Sequence, residues 1–195
     1  MDTKHIEKLG IFALSTLLTQ IEGIDTIIGY NDRTPLYDGE IYIYSGKYLT
    51  KEEYLGKVPV QIKSTTYDRR IIDGFEFHFT DLRTYMKGGG VLVLPPFIED
   101  RNKTSYYYKA LTPEVLKALI DEKDGQKSTR IIMDSLPVKD KGIREILLQF
   151  LDDSKHSLAN KYTNYEKLLE TNRILQEIVN SLINTCQTPP PPTCP

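Results

Sequence analysis

Asp38, Gln61 and Lys63 are the residues of this chain whose types and spacing point most directly to chemistry. Asp38 stands in Tyr37-Asp38-Gly39-Glu40-Ile41, and the other two stand in Val58-Pro59-Val60-Gln61-Ile62-Lys63-Ser64. A carboxylate can hold a hard divalent cation, a side-chain amide can add a neutral oxygen ligand, and a lysine can place positive charge on a phosphodiester. Together they form a set suited to handling phosphate. Asp38-Gly39 taken alone reads as hairpin chemistry, since Asp-Gly is a favoured turn dipeptide. The Gln-x-Lys stretch that follows turns the reading toward a site.

Both stretches must be strands for the set to converge. After its turn the first alternates Ile41 and Ile43 against Tyr42 and Tyr44. The second alternates Val58, Val60 and Ile62 against Gln61 and Lys63 more clearly. Side chains two apart in a strand lie on one side of a sheet, so Gln61 and Lys63 share a face opposite the apolar residues. Glu40 faces away from Ile41, which leaves it either at the same site or solvated.

Asp-Gly-x-Ile followed by an apolar-Gln-x-Lys strand resembles the PD-(D/E)xK, or restriction-endonuclease-like, nuclease superfamily. The Val-Gln-Ile-Lys-Ser form is similar to uncharacterised bacterial members found in antiviral defence and mobile elements. The resemblance implies an α/β fold with an αβββαβ core, its mixed central sheet flanked by helices. It implies metal-dependent hydrolysis of DNA, with Mg2+ or Mn2+ held by Asp38, Gln61 and the backbone carbonyl of Ile62. An acidic residue of the first helix often completes such a cluster, and Glu7 is the residue carried over, with Glu22 in reserve. Glu7 can equally serve only the helix N-terminus. Lys63 would orient the water or stabilise charge on the phosphorane. Gln61 departs from the Asp or Glu of the family pattern, and a neutral ligand holds a metal less strongly than a carboxylate. That departure favours the alternative, a nuclease-fold module without catalysis that binds nucleic acid or assembles subunits.

The composition is that of an ordinary globular chain. Its 195 residues suffice for one domain with a proper core and an appendage. A formal charge of −2 gives no global basic footprint, so a nucleic-acid contact must rest on a local patch. Arg69-Arg70, directly after the lysine strand, is the pair suited to gripping a backbone. The start lacks an apolar signal core and no apolar run is long enough to span a bilayer, so the expected location is cytoplasmic. The only cysteines, Cys186 and Cys194, lie near the end and give no disulfide framework or cysteine metal site to the fold.

Thr3 to Gln20 has helical spacing in Ile6, Leu9, Phe12/Ala13 and Thr16/Leu17. Ile24 to Gly29 is then a strand. Ser45 to Lys57 reads as a charged loop skirting the site, and Phe75 to Phe79 as an extra strand. Thr80-Asp81 opens a helix with Leu82, Tyr85 and Met86 on one face, stopped by Gly88-Gly89-Gly90. Val91 to Leu94 is a strand buried on both faces. Helix, three strands, helix and strand is the order that the resemblance also implies. Tyr106-Tyr107-Tyr108 beside Arg101 and Lys103 suits either base stacking or, more commonly, a half-buried strand. Thr112-Pro113 starts a further helix, Thr129 to Met133 is a strand finishing the sheet, and Lys141 to Leu151 is a helix.

A separate helix is expected from Asn160 to Asn184. Tyr165, Asn172 and Val179, with Leu168, Leu175 and Leu182, repeat at heptad spacing as a coiled-coil seam. The seam suits a homodimer or packing back on the domain. The resulting organisation is a nuclease-like domain over 1–155, a C-terminal helix over 156–185 and a Pro-rich tail or linker over 186–195. Such a tail suggests a further domain or partner protein.

Overall fold

The computed structural model describes residues 2–29, 36–66, 73–100, 103–123, 125–137 and 139–186. Within the last helix, side chains are described only as far as Ser157, at Lys167 and over 169–177. The Arg69-Arg70 pair and the Pro-rich tail lie outside the described residues. Residues 1–157 form one compact unit and 158–195 a second.

The first unit is α/β with a mixed central sheet. Helix α1 (Thr3–Thr19) leads through a turn into strand β1 (Ile24–Ile28), followed by β2 (Gly39–Tyr44) and β3 (Tyr54–Ile62). After β4 (Phe75–His78) and helix α2 (Phe79–Lys87) comes β5 (Val91–Leu94), then β6 (Pro96–Asp100) and β7 (Lys103–Leu111). Helix α3 (Pro113–Glu122), the short strands β8 (Ser128–Ile131) and β9 (Asp134–Ser135), and helix α4 (Asp140–Cys186) complete the chain. Strands β1, β2 and β3 form an antiparallel meander, β5 lies parallel to β3, and β7 runs antiparallel to β5. Strand β6 pairs with β7 in the register already set by β5, Val93 opposite Lys109 and Pro96 opposite Tyr106. The two strands are therefore one hairpin arm, interrupted at Pro95 because proline has no N–H for the ladder.

Strand alternation builds two cores, one on each face. Ile41, Ile43, Val58, Val60, Leu92 and Leu94 point to a layer that includes Leu14 and Leu18 of α1 with Leu147 and Phe150 of α4. Val91 and Val93 point the other way, toward Leu82 of α2, Leu116 of α3 and Phe77 of β4. Strand β5 is thus buried on both sides, as its unbroken apolar run requires. Burial of each large aliphatic side chain contributes about 1.5–3 kcal/mol before entropy is counted, so this two-sided packing fixes the register of β3 firmly.

Several expectations are corrected. Strand β8 pairs with β4 in a separate two-stranded sheet instead of finishing the central one, where the other edge of β7 is taken by β9 through Tyr107 opposite Ser135. The segment expected to be a loop from Ser45 to Lys57 is shorter, since Tyr54 to Lys57 already belongs to β3. The helices expected over 141–151 and 160–184 are one continuous helix, for nothing in Asp152 to Ala159 breaks a helix. In the second unit the seam residue Leu175 is 54% exposed, with Leu169 and Ile174 also exposed. The side chains of Tyr165, Leu168, Val179 and Leu182 lie outside those described.

Close approach of α1 to the end of β3 depends on one glycine. A Cβ on buried Gly10 would overlap the Ser64 hydroxyl and stand 2.7 Å from its Cβ. Alanine at this helical position improves propensity by about 1 kcal/mol, but overpacking of a fixed backbone costs about 1–3 kcal/mol. Gly10→Ala should therefore lower stability overall, read as a lower urea midpoint with an unchanged m-value, and shift α1 away from Ser64.

Candidate functional site

The backbone of Asp38 is tied between two neighbours before β2 begins. Its N–H donates to the Val60 carbonyl at 2.9 Å, and its carbonyl accepts from the Gly29 N–H at 3.0 Å. Gly39 follows because a Cβ there would overlap the Ile27 carbonyl oxygen and sit 2.7 Å from the Ile28 Cα. Asp38-Gly39 is therefore the entry to a tightly flanked strand and not a hairpin turn.

With Gly39 opposite Val60, Asp38 lies across from Gln61. The Asp38 Oδ2 accepts two hydrogen bonds, from the Ile62 backbone N–H at 2.6 Å and from the Gln61 Nε2 at 2.5 Å. The other end of the Gln61 amide, Oε1, accepts from the Tyr85 hydroxyl at 3.0 Å. Since a strand residue directs its N–H and C=O to the same neighbour, the Ile62 carbonyl lies on the Asp38 side as well. Lys63 follows on the Gln61 face, with its Nζ 4.7 Å from the centre of the Phe77 ring. A cavity of about 340 Å³ brings together Tyr37, Asp38, Gln61, Lys63, Asp81 and Tyr85.

Glu7 opens onto a neighbouring cleft of about 390 Å³, whose lining includes Lys63, Ser64, Glu76 and Arg130. Lys63 lines both clefts, and Glu7 is among the residues of the second. Glu22 is at the opposite end of the sheet. Its carbonyl accepts from Arg144 Nη1 at 3.0 Å, and the next residue, Gly23, accepts from the Tyr44 N–H at the far end of β2. The 45–53 segment joins those same far ends of β2 and β3, so it does not skirt the site as expected.

Two residues of the cavity escaped the sequence reading. Asp81 and Tyr85 lie one turn apart on α2, and their spacing puts both on one face of that helix. The helical period of α2 marks Tyr85 as a core residue, and it is 7% exposed. Its ring stacks on that of Tyr37 at 5.9 Å, which leaves only the hydroxyl to reach Gln61. Burial, reinforced by the negative charges of Asp81 and Asp38, pushes the Tyr85 hydroxyl up to about 12. It stays protonated at neutral pH.

The sheet face that carries Gln61 continues along β2 and β3 as Glu40, Tyr42, Tyr44, Lys57 and Tyr54. Glu40 does not reach the site. Burial raises its pKa, but hydrogen bonds from Lys57 at 2.6 Å and Tyr42 at 2.7 Å hold it below the ordinary glutamate value. Tyr54 contacts both Tyr42 and Tyr44, with ring centres 6.2 and 5.8 Å away. Tyr106 and Tyr108 pack against one core and Tyr107 against the other, as a half-buried strand does.

Among the described residues, no three histidine, cysteine, aspartate or glutamate side chains gather to hold a metal. The Asp38 cavity instead offers the Asp38 and Asp81 carboxylates and the Gln61 side chain, whose amide oxygen now accepts from Tyr85, while the Ile62 carbonyl lies on the Asp38 side of β3. Hard oxygen donors in part neutral suit Mg2+ or Mn2+, which keep several waters and need few protein ligands. Comparison with family models, with curated proteins and with solved structures returned no match.

The raised Tyr85 pKa predicts a pH effect on stability. Its neutral form is favoured by folding, so its contribution is complete below the ordinary tyrosine value of 10.0 and disappears as pH rises toward about 12. Stability measured by urea unfolding should decline over that window, and Tyr85→Phe should make the decline shallower. An unchanged slope in the variant would show that Tyr85 ionises like a free phenol.

Proposed function

We propose that this chain is a metal-dependent nuclease that hydrolyses phosphodiester bonds in DNA. One observation carries the reading: Asp38 and Gln61 meet across β2 and β3, and Lys63, two residues on, lines the same cavity. The strand order supports it, since a helix, an antiparallel meander, a crossover helix and a parallel strand are the elements expected of an αβββαβ core. So does the resemblance of these residues to a restriction-endonuclease-like motif. A role in antiviral defence or a mobile element goes with that resemblance alone.

In this reading Asp38, the Gln61 side-chain oxygen, the Ile62 carbonyl and Asp81 hold Mg2+ or Mn2+. The ion supplies a water of lowered pKa and positive charge near the scissile phosphate. Lys63 donates to that water or to a non-bridging phosphate oxygen, and its ammonium offsets charge as the phosphorane forms. The water oxygen would bond to phosphorus as its proton passes to bulk solvent, the bond to the leaving sugar oxygen would break, and that oxygen would take up a proton from solvent. Arg130, from β8, lines the cleft beyond Lys63 and offers a bidentate donor to an adjacent phosphate.

One observation favours the second reading, a nuclease-fold module without catalysis. The Gln61 Nε2 donates to Asp38, so the carboxylate is satisfied with no cation present. A plasmid-cleavage assay separates the two. The purified chain should convert supercoiled DNA only when Mg2+ or Mn2+ is added, and Lys63→Ala should reduce the rate by about a hundredfold or more. Circular dichroism of the variant should match the parent, because Lys63 is only partly buried. Equal cutting by both proteins would assign the activity elsewhere, and no cutting with tight DNA binding would favour the module.

Assembly as a homodimer forms part of the same reading, since one site of this kind cuts one strand. Exposed Leu175, a leucine of the heptad seam on the helix of the second unit, supplies apolar surface for a second copy. Leu175→Asp places a charge in that seam and should lower the mass found by light scattering from dimer to monomer. A parent already monomeric at tens of micromolar, the weakest range that affinity arithmetic makes useful, would remove the helix from the account.

A further inference from the structure

The amide of Gln61 faces a conflict that its present orientation resolves in one direction only. Its Nε2 lies 2.5 Å from the Asp38 Oδ2, and its Oε1 lies 3.0 Å from the Tyr85 hydroxyl. An amide nitrogen is no metal ligand, so in this orientation Gln61 presents the wrong atom to any cation beside Asp38. Turned over, Oε1 would face a carboxylate oxygen at the same place, an arrangement of two acceptors that is repulsive unless a cation stands between them. The orientation of this amide must therefore change with occupancy.

Tyr85 is the residue that allows the change. A phenol hydroxyl both donates and accepts, whereas a carboxylate or a lysine in its place would do one only. Stacking on Tyr37 and burial in the second core hold the ring where its hydroxyl meets the amide. A phenol carries its proton at neutral pH, so from this position it can serve in either sense.

We infer that Tyr85 is a positioning residue for a Gln61 amide switch: without metal Gln61 donates to Asp38 and accepts from Tyr85, and with metal it presents Oε1 to the ion and donates Nε2 to Tyr85. This inference rests on the metal-dependent reading of the Asp38 site and explains how an amide serves where a carboxylate would be expected. A carboxylate has oxygen at both ends and needs no such partner. Gln61 needs one, because without an acceptor at the Tyr85 position the metal-binding orientation strands a buried amide N–H, whereas the metal-free orientation strands only a carbonyl oxygen, the cheaper loss. The second-layer hydroxyl thus restores part of the affinity lost with the charge.

The test uses Mn2+ titration by calorimetry together with the side-chain amide resonances of Gln61, identified by their loss in Gln61→Glu. In the parent, saturating Mg2+ should shift the Gln61 Nε2 protons, as their acceptor changes from a carboxylate to a phenol. Tyr85→Phe keeps the ring and its packing, and it should weaken Mn2+ binding on the order of tenfold. In a Gln61→Glu background the same Tyr85→Phe change should cost less than about threefold, since either end of a carboxylate can face the ion. Equal affinity in parent and Tyr85→Phe, or Gln61 resonances unmoved while Mg2+ saturates the site, would overturn the switch but leave the metal site standing. Absence of Mn2+ binding by the parent, or binding indifferent to Asp38→Asn, would overturn the nuclease reading and the switch with it.

Discussion

A single carboxylate oxygen, Oδ2 of Asp38, clasps the start of β2 to the end of β3. It takes a backbone N–H from Ile62 and an amide N–H from Gln61, both short. Charge-assisted bonds of this kind are roughly twice as strong as neutral ones, and they fix the spacing of the two strands where the cavity opens. The backbone of Asp38 is held from both sides as well, by Gly29 and Val60. A side chain so constrained has little freedom to adapt, so the Asp38 carboxylate and the Ile62 backbone are set in advance of any ligand, and the Gln61 amide is the part left to turn.

The two cores place that clasp. Val58, Val60 and Ile62 commit alternate residues of β3 to the layer of α1 and α4, which leaves Gln61 and Lys63 no choice but the other face. A slip of one residue would put the lysine into an apolar core and the valines into the cavity, at a cost no surface contact could offset. On the second face, Phe77 lies beneath the lysine and Tyr85 beside the glutamine. Packing on one side and placement of the polar groups on the other are the same fact, stated for alternate residues.

What was legible in the sequence was periodic. The two-residue alternation of β2 and β3 put Gln61 and Lys63 on one face, and the uniform apolar run of Val91–Leu94 matched a strand buried on both sides. Features that depend on a partner distant in the chain were not legible. Tyr85 has the period of a core residue, and its hydroxyl acquires a role only because Gln61 arrives 24 positions away. Asp81 looked like a helix start and lines the cavity beside Asp38. Strand β8 looked able to extend the central sheet, but its pairing was decided by β4, more than fifty residues earlier, as the Glu76 to Ser128 bond shows. The Asp-Gly pair taken alone suggests a turn, but the need for glycine comes from the Ile27 carbonyl of the adjacent strand.

The proposed nuclease site requires a divalent cation between Asp38 and Gln61. Crystals of the chain soaked in Mn2+, with diffraction recorded near the manganese absorption edge, test it without any substrate. The account predicts one strong anomalous peak within coordination distance of an Asp38 carboxylate oxygen, the Gln61 side-chain oxygen and the Ile62 carbonyl oxygen. Density empty there at saturating Mn2+, with the Gln61 amide nitrogen still bonded to Asp38, would contradict it.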